Sequence, residues 1–153
     1  MTWHPDITPA HRAELETPPA YRLSPARHAV RILLGSALVF AGVSHLTVAR
    51  KEFQAQVPRF VPLDADATVL ASGVVEIALG ASLLFAGRRG RGKVGSVAAA
   101  FFVAIFPGNV AQWLHERDGF GLDTELKRFG RLFGQPLLIA AALWSTGARR
   151  SRG

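Results

Sequence analysis

The sequence predicts an all-α fold, an integral membrane four-helix bundle with an outward-facing polar cavity, and three observations predict it. Of the 153 residues, 49% are hydrophobic, and they gather into four blocks, 29–46, 67–86, 94–113 and 131–147, with the charged residues in the gaps. A helix rises about 1.5 Å per residue and the hydrocarbon core is roughly 30 Å thick, so each block is long enough, or nearly so, to span a bilayer. Finally, the polar residues that interrupt the blocks fall at a common depth once successive helices alternate in direction. The lipid bilayer is therefore the first partner the sequence implies.

Several classes are excluded at once. The chain has no cysteine, which removes disulfides, CxxC redox chemistry, thiolate metal sites and cysteine-ligated iron–sulfur clusters. The net charge of +7 and the run Arg88-Arg89-Gly90-Arg91-Gly92-Lys93 raise the question of nucleic acid. That run occupies the shortest gap between two apolar blocks, where a topology determinant belongs, and has no aromatic platform beside it for stacking bases, so no nucleic-acid partner is expected.

Residues 1–28 carry Pro5, Pro9, Pro18, Pro19 and Pro25 and read as a cytoplasmic tail, with a short helical turn around His11 to Glu16. With the N-terminus inside, the inner segments hold eleven Lys and Arg and the outer loops seven. This predicts a multi-pass plasma-membrane protein with both termini cytoplasmic. Block 29–46 reads as a retained helix rather than a signal peptide, since a long polar segment precedes it and no small-x-small cleavage site follows. His45 ends this span, with Gly35, Leu38 and Gly42 on the same face. An ordinary helix-end histidine is the simpler account of it.

Loop 47–66 opens with an interfacial turn over Val48 to Ala55, and Pro58 and Pro62 then force extended backbone before Asp64 or Asp66 caps the next helix. At the centre of the second span stands Glu76, with Ser72 four residues before it and Gly80 four residues after. A charge at bilayer depth costs about 2.5–3.5 kcal/mol on insertion scales, so this small–acid–small face should turn into the bundle. Glu76 is then either a neutral, hydrogen-bonded tie between helices or a proton, cation or ligand site. His45 is expected near the outer surface and Glu76 about half a span deeper, with a gap between them for a water or another side chain.

The third span holds Phe106-Pro107-Gly108-Asn109 and, three residues on, Gln112. Pro107 leaves the Val103 carbonyl without its usual donor, while the two amides share a face; a kinked structural helix explains the same residues. Loop 114–130 contains a Gly-rich bend at Asp118-Gly119-Phe120-Gly121 and a cap at Asp123 or Thr124. Leu122, Leu126, Phe129 and Phe133 then recur at helical spacing as an amphipathic approach to the fourth span. That span opens with Arg128, Arg131 and Gln135 before Pro136 and an apolar run to Trp144; the arginines can also simply snorkel to headgroups. Residues 148–153 form a basic C-terminal tail.

With alternating helices, His45, Asn109, Gln112, Arg131 and Gln135 lie in the outer third and Glu76 midway, while the inner halves hold almost only apolar and small residues. The polar set converges on one candidate ligand-binding cavity suited to an anionic or carbonyl-bearing molecule or a quinone head group. No metal site is expected, because His45, His115 and Glu116 match no ligand spacing.

Four motifs, Phe40-Ala41-Gly42-Val43-Ser44-His45, Ala71-Ser72-Gly73-Val74-Val75-Glu76-Ile77-Ala78-Leu79-Gly80, Phe106-Pro107-Gly108-Asn109 and Arg131-Leu132-Phe133-Gly134-Gln135-Pro136, occur in this order. In this the chain resembles the DoxX-like family of small four-helix membrane proteins over roughly residues 29–147. That family takes its name from a subunit of an archaeal membrane thiosulfate:quinone oxidoreductase. Relatives are associated with quinones and oxidative stress, or with a mycobacterial membrane complex that recruits superoxide dismutase and a sulfurtransferase. The resemblance implies a redox-associated membrane subunit, an accessory part of a quinone-linked oxidoreductase, with a quinone as candidate cofactor and a soluble or membrane redox partner. It marks His45, Glu76, Asn109, Arg131 and Gln135 as family-like positions and assigns none a catalytic role. The lack of cysteine departs from thiol-dependent members and removes a dithiol relay. Two further classes stay open: a small transporter or channel with Glu76 as its proton or cation site, which would need a homo-oligomer, and a membrane scaffold for a soluble partner.

Overall fold

The computed structural model describes residues 23–54, 57–58, 61–115 and 124–148, apart from the side chains of Lys127, Arg128 and Arg131. The expected N-terminal tail up to residue 22, the bend at 118–121, Asp123 and the basic tail from residue 149 lie outside the described residues. Those described form α1 (Pro25–Leu46), the short α2 (Arg50–Gln54), α3 (Ala65–Phe85), α4 (Arg91–Leu114) and α5 (Glu125–Thr146), with no strand among them. Three of these helices, α1, α3 and α4, are long and apolar enough to cross a membrane. In α5 the apolar stretch is the shorter Leu132–Thr146, because the first two turns carry Glu125, Lys127, Arg128 and Arg131.

Helix ends follow local chemistry. The α1 helix starts four residues ahead of its apolar block, because the Ser24 hydroxyl accepts from the Arg27 N–H and Pro25 takes the first helical position, where its missing N–H costs nothing. Asp64 caps α3 by accepting from the N–H groups of Asp66 and Ala67 at 2.9 and 3.2 Å. At the end of α5, Gly147 takes φ 74°, the left-handed position that stops a helix.

Packing sorts the four long helices into two antiparallel pairs, α1 with α3 and α4 with α5; α1 also meets α5, and α3 meets α4 less extensively. Glycine sets the first pair. A Cβ on Gly42 would sit 2.5 Å from the Gly73 carbonyl oxygen, and one on Gly80 would sit 2.6 Å from that of Gly35. Two glycines on each helix, seven residues apart, thus let the backbones touch. In the second pair Gly95 lies directly against Thr146 and Ala142. The four helices meet around Leu34, Leu38, Leu83, Ala98, Ala99, Phe102 and Ala142.

The surface is inverted relative to a water-soluble protein. Phe40, Val74, Phe85, Val103 and Leu137 are exposed, while His45, Glu76, Asn109, Gln112 and Gln135 are buried. An apolar exterior around a polar interior suits lipid as the solvent.

At the end of the bundle where α1 begins, Arg31, Arg91, Ser145 and Thr146 are all buried, so this end is not lined by apolar and small residues alone. The Arg31 side chain lies along the helix pair and its Nη1 donates to the Ala86 carbonyl at 2.9 Å, at the end of α3 where carbonyls lack helical donors. One turn earlier, the Arg27 guanidinium stacks 5.1 Å above the Trp144 ring.

Candidate functional site

Beyond the shared core, toward the C-terminal end of α1, a cavity of about 480 Å³ lies between the two helix pairs. Leu34, Leu38 and Phe102 line it from the core side, and Phe53, Val57, Pro58 and Val61 line it from α2 and the segment after it. Its surface is mainly apolar, with His45, Ser72 and Glu76 as polar groups on the α1–α3 side and Asn109 and Gln135 on the α4–α5 side. A pocket of this size with a few converging polar groups is the usual form of a small-molecule site.

On the first side, His45 Nδ1 and Glu76 Oε2 stand 3.3 Å apart, and each side chain is only 6% exposed. The Ser72 hydroxyl donates to the other carboxyl oxygen of Glu76 at 3.1 Å, the contact that a four-residue spacing permits. This direct pairing corrects the expected gap of half a span. A Cβ on Gly73 would lie 2.8 Å from His45 Cβ, so His45 is level with Gly73 and Glu76 is less than one turn deeper. Helical side chains lean toward their own N-terminus; in antiparallel neighbours His45 and Glu76 therefore lean toward each other until they meet.

On the second side the Asn109 carboxamide donates to Gln135 Oε1 at 3.0 Å, and Gln135 Nε2 donates to the Phe102 carbonyl at 2.6 Å. Pro107 stands in the same stretch of α4 and leaves the Val103 carbonyl without its helical donor. The side-chain donor arrives at Phe102, one residue before the Val103 carbonyl that the sequence singles out.

Of the six candidate positions, His45, Glu76, Asn109 and Gln135 come together around the cavity. Gln112 is buried in α4 but does not line it. Arg131 lies in α5, and its side chain is outside the described residues. Among the described residues, no group of three His, Asp or Glu side chains is placed to hold a metal ion.

Sequence reading missed the cover of the site. The Phe53 ring packs edge-to-face on His45 at 82°. Its helix is tied to α3 by Arg50, whose Nε donates to Asp66 Oδ1 at 2.5 Å and whose Nη2 donates to Asp66 Oδ2, while Gln54 Nε2 donates to Oδ1 at 2.8 Å. The bond to Asp66 holds the Arg50 guanidinium above its ordinary range. The available signal was the single aromatic Phe53 after the three charged residues Arg50, Lys51 and Glu52, in a short turn that follows a histidine closely.

No curated protein and no solved structure matches the chain. A family model does match, from Leu34 beside the cavity to Thr146 at the end of α5, and by that match over residues 34–146 the chain belongs to the family described as Domain of unknown function (DUF8561).

Proposed function

We propose that this protein is a four-span plasma-membrane bundle, with both termini cytoplasmic and the cavity facing outward, that binds a small lipophilic molecule with a carbonyl-bearing head, of the quinone type. The observation that carries the reading is the cavity itself: a mainly apolar space of about 480 Å³ with the His45–Glu76 pair on one side and the Asn109–Gln135 amides on the other. Imidazole and carboxamide N–H groups are suitable donors to a carbonyl, and a carboxyl beside a histidine can give or take the proton that accompanies reduction of a quinone. In this reading α5 is the fourth span despite its shorter apolar stretch, with its charged first turns in the headgroup region. The resemblance to DoxX-like proteins supports a redox-associated role, as a subunit beside a quinone-linked oxidoreductase or an oxidative-stress complex.

Extraction in mild detergent followed by mass spectrometry of the co-purifying small molecules and proteins tests this. A stoichiometric quinone that is lost in Glu76→Leu and Gln135→Leu variants of unchanged yield supports the reading. A preparation free of small molecules, to which added benzoquinones do not bind, overturns it. The buried His45–Glu76 pair also favours a second reading, a proton-conducting site in a homo-oligomer. A ligand-free homo-oligomer whose proton flux in liposomes disappears in Glu76→Gln would establish that alternative.

A further inference from the structure

We propose that the cavity opens sideways between α1 and α5 and admits the apolar tail of its ligand from the bilayer, so that the ligand is a membrane-soluble molecule with a polar head and one apolar chain. The proposal deepens the quinone-type reading and depends on it for the head group alone.

The glycines carry the observation. At Gly35, Gly42, Gly73, Gly80 and Gly95 an added Cβ would meet the neighbouring helix at 3 Å or less, as expected of glycines that let membrane helices close together. Gly130 and Gly134 of α5 differ, for a Cβ at either would meet nothing within 4 Å. Gly134 nevertheless lines the cavity, together with Ala37 and Ala41 of α1 and Leu138 of α5. Ala37 and Leu138 are also exposed, so the cavity is not closed off at this edge between α1 and α5.

Register explains the opening. Arg27 stacks on Trp144, and the two helices run in opposite directions from that point. Ten residues along each chain, Ala37 comes level with Gly134; four further on, Ala41 comes level with Gly130. Two alanines and two glycines thus fall at matching levels of α1 and α5, and among the described residues nothing lies within 4 Å of where a Cβ on either glycine would be. The resulting slot ends inside at the polar groups and outside in lipid. A chain threaded through it would bury methylene groups against Leu38, Leu138 and the methyls of Ala37 and Ala41, while the head met His45, Glu76, Asn109 and Gln135.

The test compares 2,3-dimethoxy-5-methyl-1,4-benzoquinone with its 6-decyl derivative, titrated against the full chain in nanodiscs. The decyl compound should bind at least about tenfold more tightly to the wild type, and Gly134→Leu should remove most of that ratio. Ala37→Leu on the facing helix should do the same. A ratio that survives both substitutions overturns the slot. If the tail-less head does not bind the wild type at all, the quinone-type reading fails, and the slot is judged by a decyl alcohol carrying a terminal diazirine. Photolabelling concentrated on residues 37–41 and 134–138, and lost in Gly134→Leu, supports the slot. Labelling spread over outward residues such as Val74 and Phe85, unchanged in the variant, overturns it. A variant that alters oligomeric state in place of tail binding assigns the two glycines to contact with a second copy, which also overturns it.

Discussion

His45 Nδ1 and Glu76 Oε2 lie 3.3 Å apart inside an apolar helix pair, at a register fixed by the glycines beside them. The pair joins the end of one helix to the centre of the next. Neither group could be kept there alone at low cost, since an isolated charge in the bilayer is expensive and an unpaired buried polar group nearly as unwelcome. A double-mutant cycle of His45→Phe and Glu76→Leu, read by unfolding in detergent, should give a coupling of about 0.6–1.7 kcal/mol, the range found for interhelical polar pairs in membranes. A coupling of zero would mean that the two side chains are merely neighbours.

The glycine contacts should be far less forgiving. At Gly42 an added methyl meets the Gly73 carbonyl and Ile77, and at Gly80 it meets the Gly35 carbonyl and Val39, so main-chain atoms would have to move. Gly42→Ala and Gly80→Ala should each lower the melting temperature clearly and weaken the His45–Glu76 coupling by shifting its register. Gly130→Ala, with nothing in reach, should be neutral or stabilise by up to about 1 kcal/mol through helix propensity. Equal effects at all three positions would contradict the close approach of α1 and α3.

This contrast also marks how far the sequence could be read. Glu76 announced itself because a carboxyl amid some twenty apolar residues must turn inward, and the spacing of Ser72 and Gly80 gave the face. The direct meeting with His45 was not legible, because it depends on where α1 lies along α3, and periodicity fixes a helix's face but not its axial offset. The spacing of Leu126, Phe129 and Phe133 was legible as helical, and the three fall in the first turns of α5 itself rather than in a segment that approaches it. Arg31 and Arg91 were hidden for a different reason. They sit at block edges, where sequence alone cannot separate an arginine in the headgroups from one folded back over a helix end.

Gln135 serves both neighbours at once, accepting from Asn109 and donating to the Phe102 carbonyl beside the Pro107 turn. Gln135→Leu should therefore cost more than a single bond, about 1 kcal/mol when two interhelical bonds of roughly 0.6 kcal/mol are lost. Adding Asn109→Leu should cost little more, since its partner is already gone. Additive losses in the double variant would separate the two amides and remove the network from the cavity.

The cover over the cavity should affect exchange of the ligand rather than stability. Arg50, Gln54 and Asp66 tie α2 to the start of α3, and α2 carries Phe53 onto His45. The Arg50–Asp66 pair is well exposed, with side chains at 40% and 35%, so water and salt screen it and its loss should leave the melting temperature nearly unchanged. Its geometry is bidentate, however, and such a pair restricts orientation even where it adds little energy. Releasing it should loosen the hold of Phe53 on His45 at the cavity wall. Arg50→Ala and Asp66→Asn should then accelerate dissociation of a bound benzoquinone severalfold in stopped-flow measurements. High salt should accelerate release from the wild type toward the same rate and change the variants little. Phe53→Ala removes the cover itself and should be at least as fast as either. A dissociation rate indifferent to salt and to all three substitutions would show that ligand leaves by another path, such as the slot between α1 and α5.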